Sequence, residues 1–155
     1  MLLATLQGDL ASSDWSHKWF DKVKSKFPYL DGVKVTYTTH MDTDYYKYME
    51  DEALWPQELD LSPQLPKEVR ETSWDVIVVD APRGNRNSGG PGRFTPLYTA
   101  KLLSRTGTVV VVDDYERKIE RNFSRKVLGK EPDSVIDRSG RVGVAGKNEQ
   151  AYFIM

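Results

Sequence analysis

The chain has 155 residues, of which 39% are hydrophobic and 29% charged, and a formal net charge of -1. This composition excludes a disordered chain and leaves no global electrostatic drive toward nucleic acid or an anionic membrane. With no cysteine, a disulfide scaffold and a thiolate nucleophile are excluded, and no apolar run is long enough to be a membrane segment.

The length suits one domain over residues 1–155. Residues 2–6 are a short apolar run stopped by Gly8 and Asp9, which reads as a strand. Trp15, Trp19, Val23 and Phe27 recur every four residues, so a helix with one apolar stripe follows, ended by Pro28. Residues 33–37 alternate and are β-branched, which predicts a second strand. Residues 42–73 carry Tyr45, Tyr46, Tyr48 and Met49, then Pro56, Pro63 and Pro66 among many acids. A short helix and then a surface insertion or covering loop are expected there.

Residues 74–80 hold the run Val76-Ile77-Val78-Val79 between Asp75 and Asp80. A stretch apolar on both faces belongs in a central parallel strand. Residues 96–104 read as a helix and residues 108–112 as a second buried strand, stopped by Asp113 and Asp114. The roughly 30-residue spacing predicts that these two strands lie side by side and parallel. Tyr115, Ile119, Phe123 and Val127 stripe the next helix, which Gly129 and Pro132 end. Its basic residues, from Arg117 to Lys130, read as a solvated face. Strands at 141–145 and 151–155 close the chain as a hairpin. The expected fold is α/β, a mostly parallel sheet with helices on both faces and a C-terminal hairpin.

In open parallel sheets ligands bind beyond the carboxyl ends of the strands. Three strands end there in acid, at Asp9, Asp80 and Asp113-Asp114. Such carboxylates accept hydrogen bonds from ribose, take a proton from a hydroxyl or simply solvate a turn. The loop after Asp80 is the sharper signal. Pro82 stiffens its start, Gly84, Gly89, Gly90 and Gly92 permit close backbone approach, and Arg83, Arg86 and Arg93 offer planar donors for carboxylate or phosphate. A surface loop with solvated arginines has the same composition. No Gly-Lys-Ser/Thr follows, so it is not a P-loop. His17 and His40 are too few for a histidine metal site, and none is assigned.

The run Trp74-Asp75-Val76-Ile77-Val78-Val79-Asp80-Ala81-Pro82-Arg83-Gly84, with Pro91-Gly92-Arg93 and Tyr98-Thr99-Ala100, resembles the plant polysaccharide-biosynthesis family of glucuronoxylan 4-O-methyltransferases and irregular-xylem proteins. The segment from Val112 to Glu120 is similar to that family's strand-end segment, with Asp113 where the family has histidine. The resemblance covers most of the chain from about residue 18. It implies a Rossmann-like class I methyltransferase domain using S-adenosylmethionine, with a polysaccharide acceptor such as the 4-hydroxyl of glucuronic acid on xylan, and a Golgi location. It also implies that the first strand and glycine-rich donor turn lie upstream of this chain.

On that basis Asp80, Asp113 and Asp114 are the candidate catalytic residues. Asp9, Asp80, Ala81 and Pro82 are the candidate donor-binding residues, with Asp9 at the ribose. Arg83, Gly84 and Arg93 are expected to hold the substrate anion or to stabilise the loop. The alternative is a non-catalytic scaffold homologue that has lost donor binding. Nucleic acid is not an expected partner.

Overall fold

Valine dominates the two strands at the centre of the molecule, β2 (Val76–Val79) and β3 (Val109–Asp113), and their register is parallel, Val76 to Val79 against Val109 to Val112. The computed structural model describes residues 2–4, 15–82, 89–137 and 148–155, with backbone only for 2–4 and 15–19. Among these residues one sheet has the order β1-β2-β3-β5-β4, where β1 is Leu2–Ala4, β4 is Ser134–Asp137 and β5 is Glu149–Ile154. β1, β2 and β3 run parallel, and β5 lies antiparallel to both β3 and β4. The fold is therefore mixed α/β, and β2 and β3 are adjacent interior strands as expected.

Alternation along the strands separates two faces. Ile77, Val79, Val110, Val112, Ala151 and Phe153 are buried in the main core. Over that core lie α5 (Phe94–Leu103) and α6 (Lys118–Leu128), bringing Phe94, Leu97, Phe123 and Val127. Val76, Val78 and Val109, on the opposite face, are only half-buried. The two-sided apolarity of β2 and β3 thus corresponds to one deeply buried face and one partly open face among the described residues.

α1 (Trp15–Lys26) occupies the expected place. The strand expected at residues 33–37 is instead an extended segment with one bridge residue, Lys34. Val35, Tyr37 and Thr39 are buried and Thr36 and Thr38 exposed, so the alternation is real. A side chain, however, does the work of a neighbouring strand: Gln64 Oε1 accepts from the Thr36 amide at 2.7 Å, and its Nε2 donates to the Thr36 carbonyl at 3.0 Å.

Residues 42–73 depart most from expectation. They form α2 (Met41–Glu50), α3 (Trp55–Glu58) and α4 (Lys67–Glu71), with short 3-10 turns at Glu52–Leu54 and Ser62–Gln64. This is a wall of the core rather than a cover over it. Met41, Tyr48, Trp55, Leu59, Leu61 and Leu65 are buried, and the Trp55 ring stands edge-on to Tyr98 and Phe123. Full burial of such side chains contributes about 1.5–3 kcal/mol each.

At the C-terminus the hairpin partners are β4 and β5. β4 lies N-terminal to the strand expected at 141–145, which falls outside the described residues.

Candidate active site

The parallel register carries the carboxyl ends of β2 and β3 to the same edge. Asp80 follows the last residue of β2, Asp113 ends β3, and Asp114 comes next. The three carboxylates bring oxygen atoms within 4.8 Å of one another, so the structure gathers all three candidate catalytic acids. That is close enough for a cation to bridge, and the cation that the chain itself supplies is Arg93.

Arg93, immediately before α5, is 3% exposed. Its Nε donates to the Pro82 carbonyl at 3.4 Å, Nη2 to the Asp80 carbonyl at 2.8 Å and to Asp114 Oδ2 at 2.5 Å, and Nη1 to the Asp113 carbonyl. Nη2 also lies 3.7 Å from Asp80 Oδ1. One guanidinium thus clamps the ends of both strands. The five-donor planar fork is what permits this; a lysine could not span four acceptors. Asp114 has φ 55°, a left-handed conformation that aspartate tolerates better than most residues. This turn leaves its carboxylate facing Arg93 and, at 2.9 Å, Arg117.

The loop back to Arg93 is fixed from the first residue of α2 and from Thr39 just before it. The Met41 amide donates to the Gly90 carbonyl at 3.0 Å and Thr39 Oγ1 to the Pro91 carbonyl at 2.7 Å. Gly92 has φ +70°, and a Cβ there would lie 3.0 Å from the Phe94 ring and 3.1 Å from Met41. Only glycine satisfies that turn and that packing together. The Ala81–Pro82 peptide is cis.

Asp80 is pushed up to about 6 by partial desolvation and then by the neighbouring Asp113 carboxylate, against the opposing pull of Arg93. Its side chain nevertheless remains 69% open, so a substrate can reach it. A carboxylate near neutrality with an open face can accept a proton under ordinary conditions.

Four contributing residues carry no signal in the sequence pattern. β5 sets Gln150 directly opposite Asp113. Gln150 Nε2 donates to Asp113 Oδ1 at 2.9 Å, and the Tyr152 hydroxyl donates to Gln150 Oε1 at 3.1 Å. Arg117 joins the cluster through Asp114. Glu120, in the first turn of α6, is fully buried, and neither carboxylate oxygen has a hydrogen-bond partner among the described residues. Burial pushes it up to about 7, against Arg93 and Arg117. Their pairing follows from strand register and helix docking, which periodicity does not reveal.

The remaining expectations divide. Ala81 and Pro82 lie at the site, while Asp9, Arg83 and Gly84 fall outside the described residues. His40 is exposed, away from any cluster. Three basic residues of α6 are matched by acids: Arg121 with Glu149, Arg125 with Glu131 and Lys126 with Glu52. No described helix is long and apolar enough to cross a membrane.

Among curated proteins, the chain is similar to glucuronoxylan 4-O-methyltransferase 1 of Arabidopsis thaliana, 34% identical over 124 residues, which is 71% of this chain and 44% of that protein. It is similar to arabinogalactan O-methyltransferase 1 of the same plant, 28% identical over 147 residues, 84% of this chain and 48% of that one. Protein IRREGULAR XYLEM 15, also from Arabidopsis thaliana, is 41% identical over 73 residues, 43% of this chain and 22% of that protein. The chain therefore spans less than half the length of these relatives. No solved structure matches it significantly. A family model described as IRX15/IRX15L/GXM matches residues 7–143. With that match covering most of its length, and with the Asp80 loop and the Asp113-Asp114 turn inside it, the chain belongs to the IRX15/IRX15L/GXM family.

Proposed function

We propose that this chain is part of a Rossmann-like, S-adenosylmethionine-dependent O-methyltransferase acting on a polysaccharide hydroxyl, with the 4-hydroxyl of glucuronic acid on xylan as the leading acceptor. The observation that carries the reading is the meeting of Asp80, Asp113 and Asp114 at the carboxyl edge of two parallel strands. Two of the relatives above are named as O-methyltransferases of plant polysaccharides.

The donor set suits a cationic ligand, because three carboxylates outnumber the two guanidiniums, Arg93 and Arg117, that face them. S-adenosylmethionine, when bound, supplies a methyl group on a positively charged sulfur. Asp80, Ala81 and Pro82 would border it. Methyl transfer to a hydroxyl oxygen requires alignment and loss of the hydroxyl proton. Asp80 takes that proton, Asp113 and Asp114 hold the negative field that makes Asp80 a stronger base, and Arg93 holds the strand ends in place. Arg93, buried and engaged on all sides, acts on the loop and not on the substrate anion. Arg83 and Gly84 for the uronate, and Asp9 for the ribose, are proposals that follow from the family resemblance.

The test is methyl transfer by the full-length protein, wild type against Asp80→Asn, on glucuronoxylan and on arabinogalactan. Asn is close to isosteric but cannot accept the proton, so the rate should fall on the order of 10²–10⁴-fold with the fold intact. If Asp80→Asn keeps most of the rate, the base lies elsewhere.

The similarity to protein IRREGULAR XYLEM 15, whose name states no activity, favours a second reading, a non-catalytic scaffold on the same fold. Calorimetric titration with S-adenosylmethionine separates the two: heat of binding supports the enzyme, and its absence the scaffold.

A further inference from the structure

We propose that Gln150, held by Tyr152, is the positioning residue that keeps Asp113 ionised and so leaves Asp80 as the proton acceptor of the pair. The inference deepens the reading just given, since it concerns how the same site selects its base.

The argument begins with register. β5 runs antiparallel to β3, and Gln150 faces Asp113 across the ladder with Tyr152 two residues further along the same side of β5. A glutamine amide could donate or accept toward a carboxylate, depending on its orientation. Here both ends are committed. Oε1 receives the Tyr152 hydroxyl at 3.1 Å, so Nε2 is the end turned to Asp113 Oδ1, at 2.9 Å. An N–H donor to a carboxylate favours the charged form. Among the described residues, Asp80 faces the Arg93 guanidinium at 3.7 Å and shares its remaining side-chain contact with Asp113 itself. Two neighbouring carboxylates cannot easily both be charged, so the proton goes to the one with less support. Asp80 is also the more open of the two, which places the proton-accepting oxygen where a hydroxyl can approach.

The other charges around the pair come from every packed element. Arg93 precedes α5, and Asp114 and Arg117 precede α6; the Glu149 carboxylate on β5 is directed to Arg121. Of these, Arg93 and Asp114 act on Asp80 in opposite directions, and Arg117 pairs with Asp114. Gln150 gives Asp113 Oδ1 a neutral side-chain donor at 2.9 Å. The proton affinity of Asp80 is raised first by desolvation and then by the neighbouring Asp113.

The experiment uses the full chain and two variants, Gln150→Leu, which removes the donor, and Tyr152→Phe, which removes only the hydroxyl that orients it. Carboxyl-carbon NMR from pH 4 to 8 reads the site without any need for turnover. In wild type Asp80 should be the higher of the two titrations. In Gln150→Leu the Asp80 midpoint should fall by about one pH unit or the order should invert, with a smaller change of the same sign in Tyr152→Phe. Midpoints unchanged in both variants overturn the inference. Should Gln150→Leu fail to fold, Tyr152→Phe decides alone. A merely structural Gln150 would lower the melting temperature and leave the midpoints of the folded protein unmoved. Where wild type transfers methyl groups, kcat should drop about tenfold or more in Gln150→Leu, with KM for the donor held within about threefold. Wild-type protein that binds no donor and transfers nothing would remove the methyltransferase reading, while the titrations would still decide the role of Gln150.

Discussion

At the scale of single residues, the site is a problem of charge placed where water is scarce. Glu120 is the sharpest case, a fully buried carboxyl whose proton affinity is raised to about 7. Its value in the unfolded chain lies near 4.5, so the fold favours the neutral form. The resulting stability is complete below about pH 4.5 and is lost as pH rises through 7. Glu120→Gln removes that loss. The variant should gain on wild type as pH rises from 4.5 to 8, by up to about 3 kcal/mol, the difference between the two titration points at 1.36 kcal/mol per unit. Urea unfolding at both pH values measures the gap, and a gap that does not change with pH contradicts the buried acid. Arg93 is the second case. Arg93→Lys keeps the charge and loses the fork that reaches the Pro82, Asp80 and Asp113 carbonyls. Each lost hydrogen bond is worth about 1 kcal/mol net, so a destabilisation of about 2–3 kcal/mol is expected in the same unfolding assay. A change under 0.5 kcal/mol would mean the clamp holds nothing.

At the scale of elements, period alone did not distinguish a strand from an extended segment bound by side chains. Val35 and Tyr37 alternate with Thr36 and Thr38 as in a half-buried strand, yet Gln64 rather than a neighbouring backbone closes the Thr36 hydrogen bonds. Gln64→Ala should therefore cost about 1–2 kcal/mol, two hydrogen bonds at the usual net value, and it should loosen residues 33–39 without touching the sheet. Amide exchange across the two regions is the check. If the sheet loosens equally, the segment is not independently tied. The helices were easier to read because their signals are local. The four-residue stripe of α6 and the left-handed cap at Gly129 both lie within one stretch of chain. β4 escaped notice because Ser134–Asp137 is short and half polar, and only pairing with β5 makes it a strand.

At the scale of the molecule, residues 41–73 complete the core that β2, β3, α5 and α6 begin. The Leu61 amide donates to Thr99 Oγ1 on α5 at 3.1 Å, and Trp55 Nε1 donates to the Tyr48 carbonyl at 2.9 Å. The segment should unfold with the sheet. Native-state exchange at the Leu61 amide is expected to need the global opening free energy, whereas exchange at the rate of a free loop would show that the wall is only resting there. The central pair of strands was legible from sequence because four valines or isoleucines in a row admit few environments other than a buried parallel strand, and the acids that follow mark its end. Asp80, Asp113 and Asp114 were legible as candidates for the same reason. Their actual distances, the burial of Arg93 between them, and the donors Gln150 and Tyr152 were decided by the tertiary structure. Strand register and side-chain burial depend on partners tens of residues away, and a one-residue slip in β5 would turn Gln150 to the other face of the sheet.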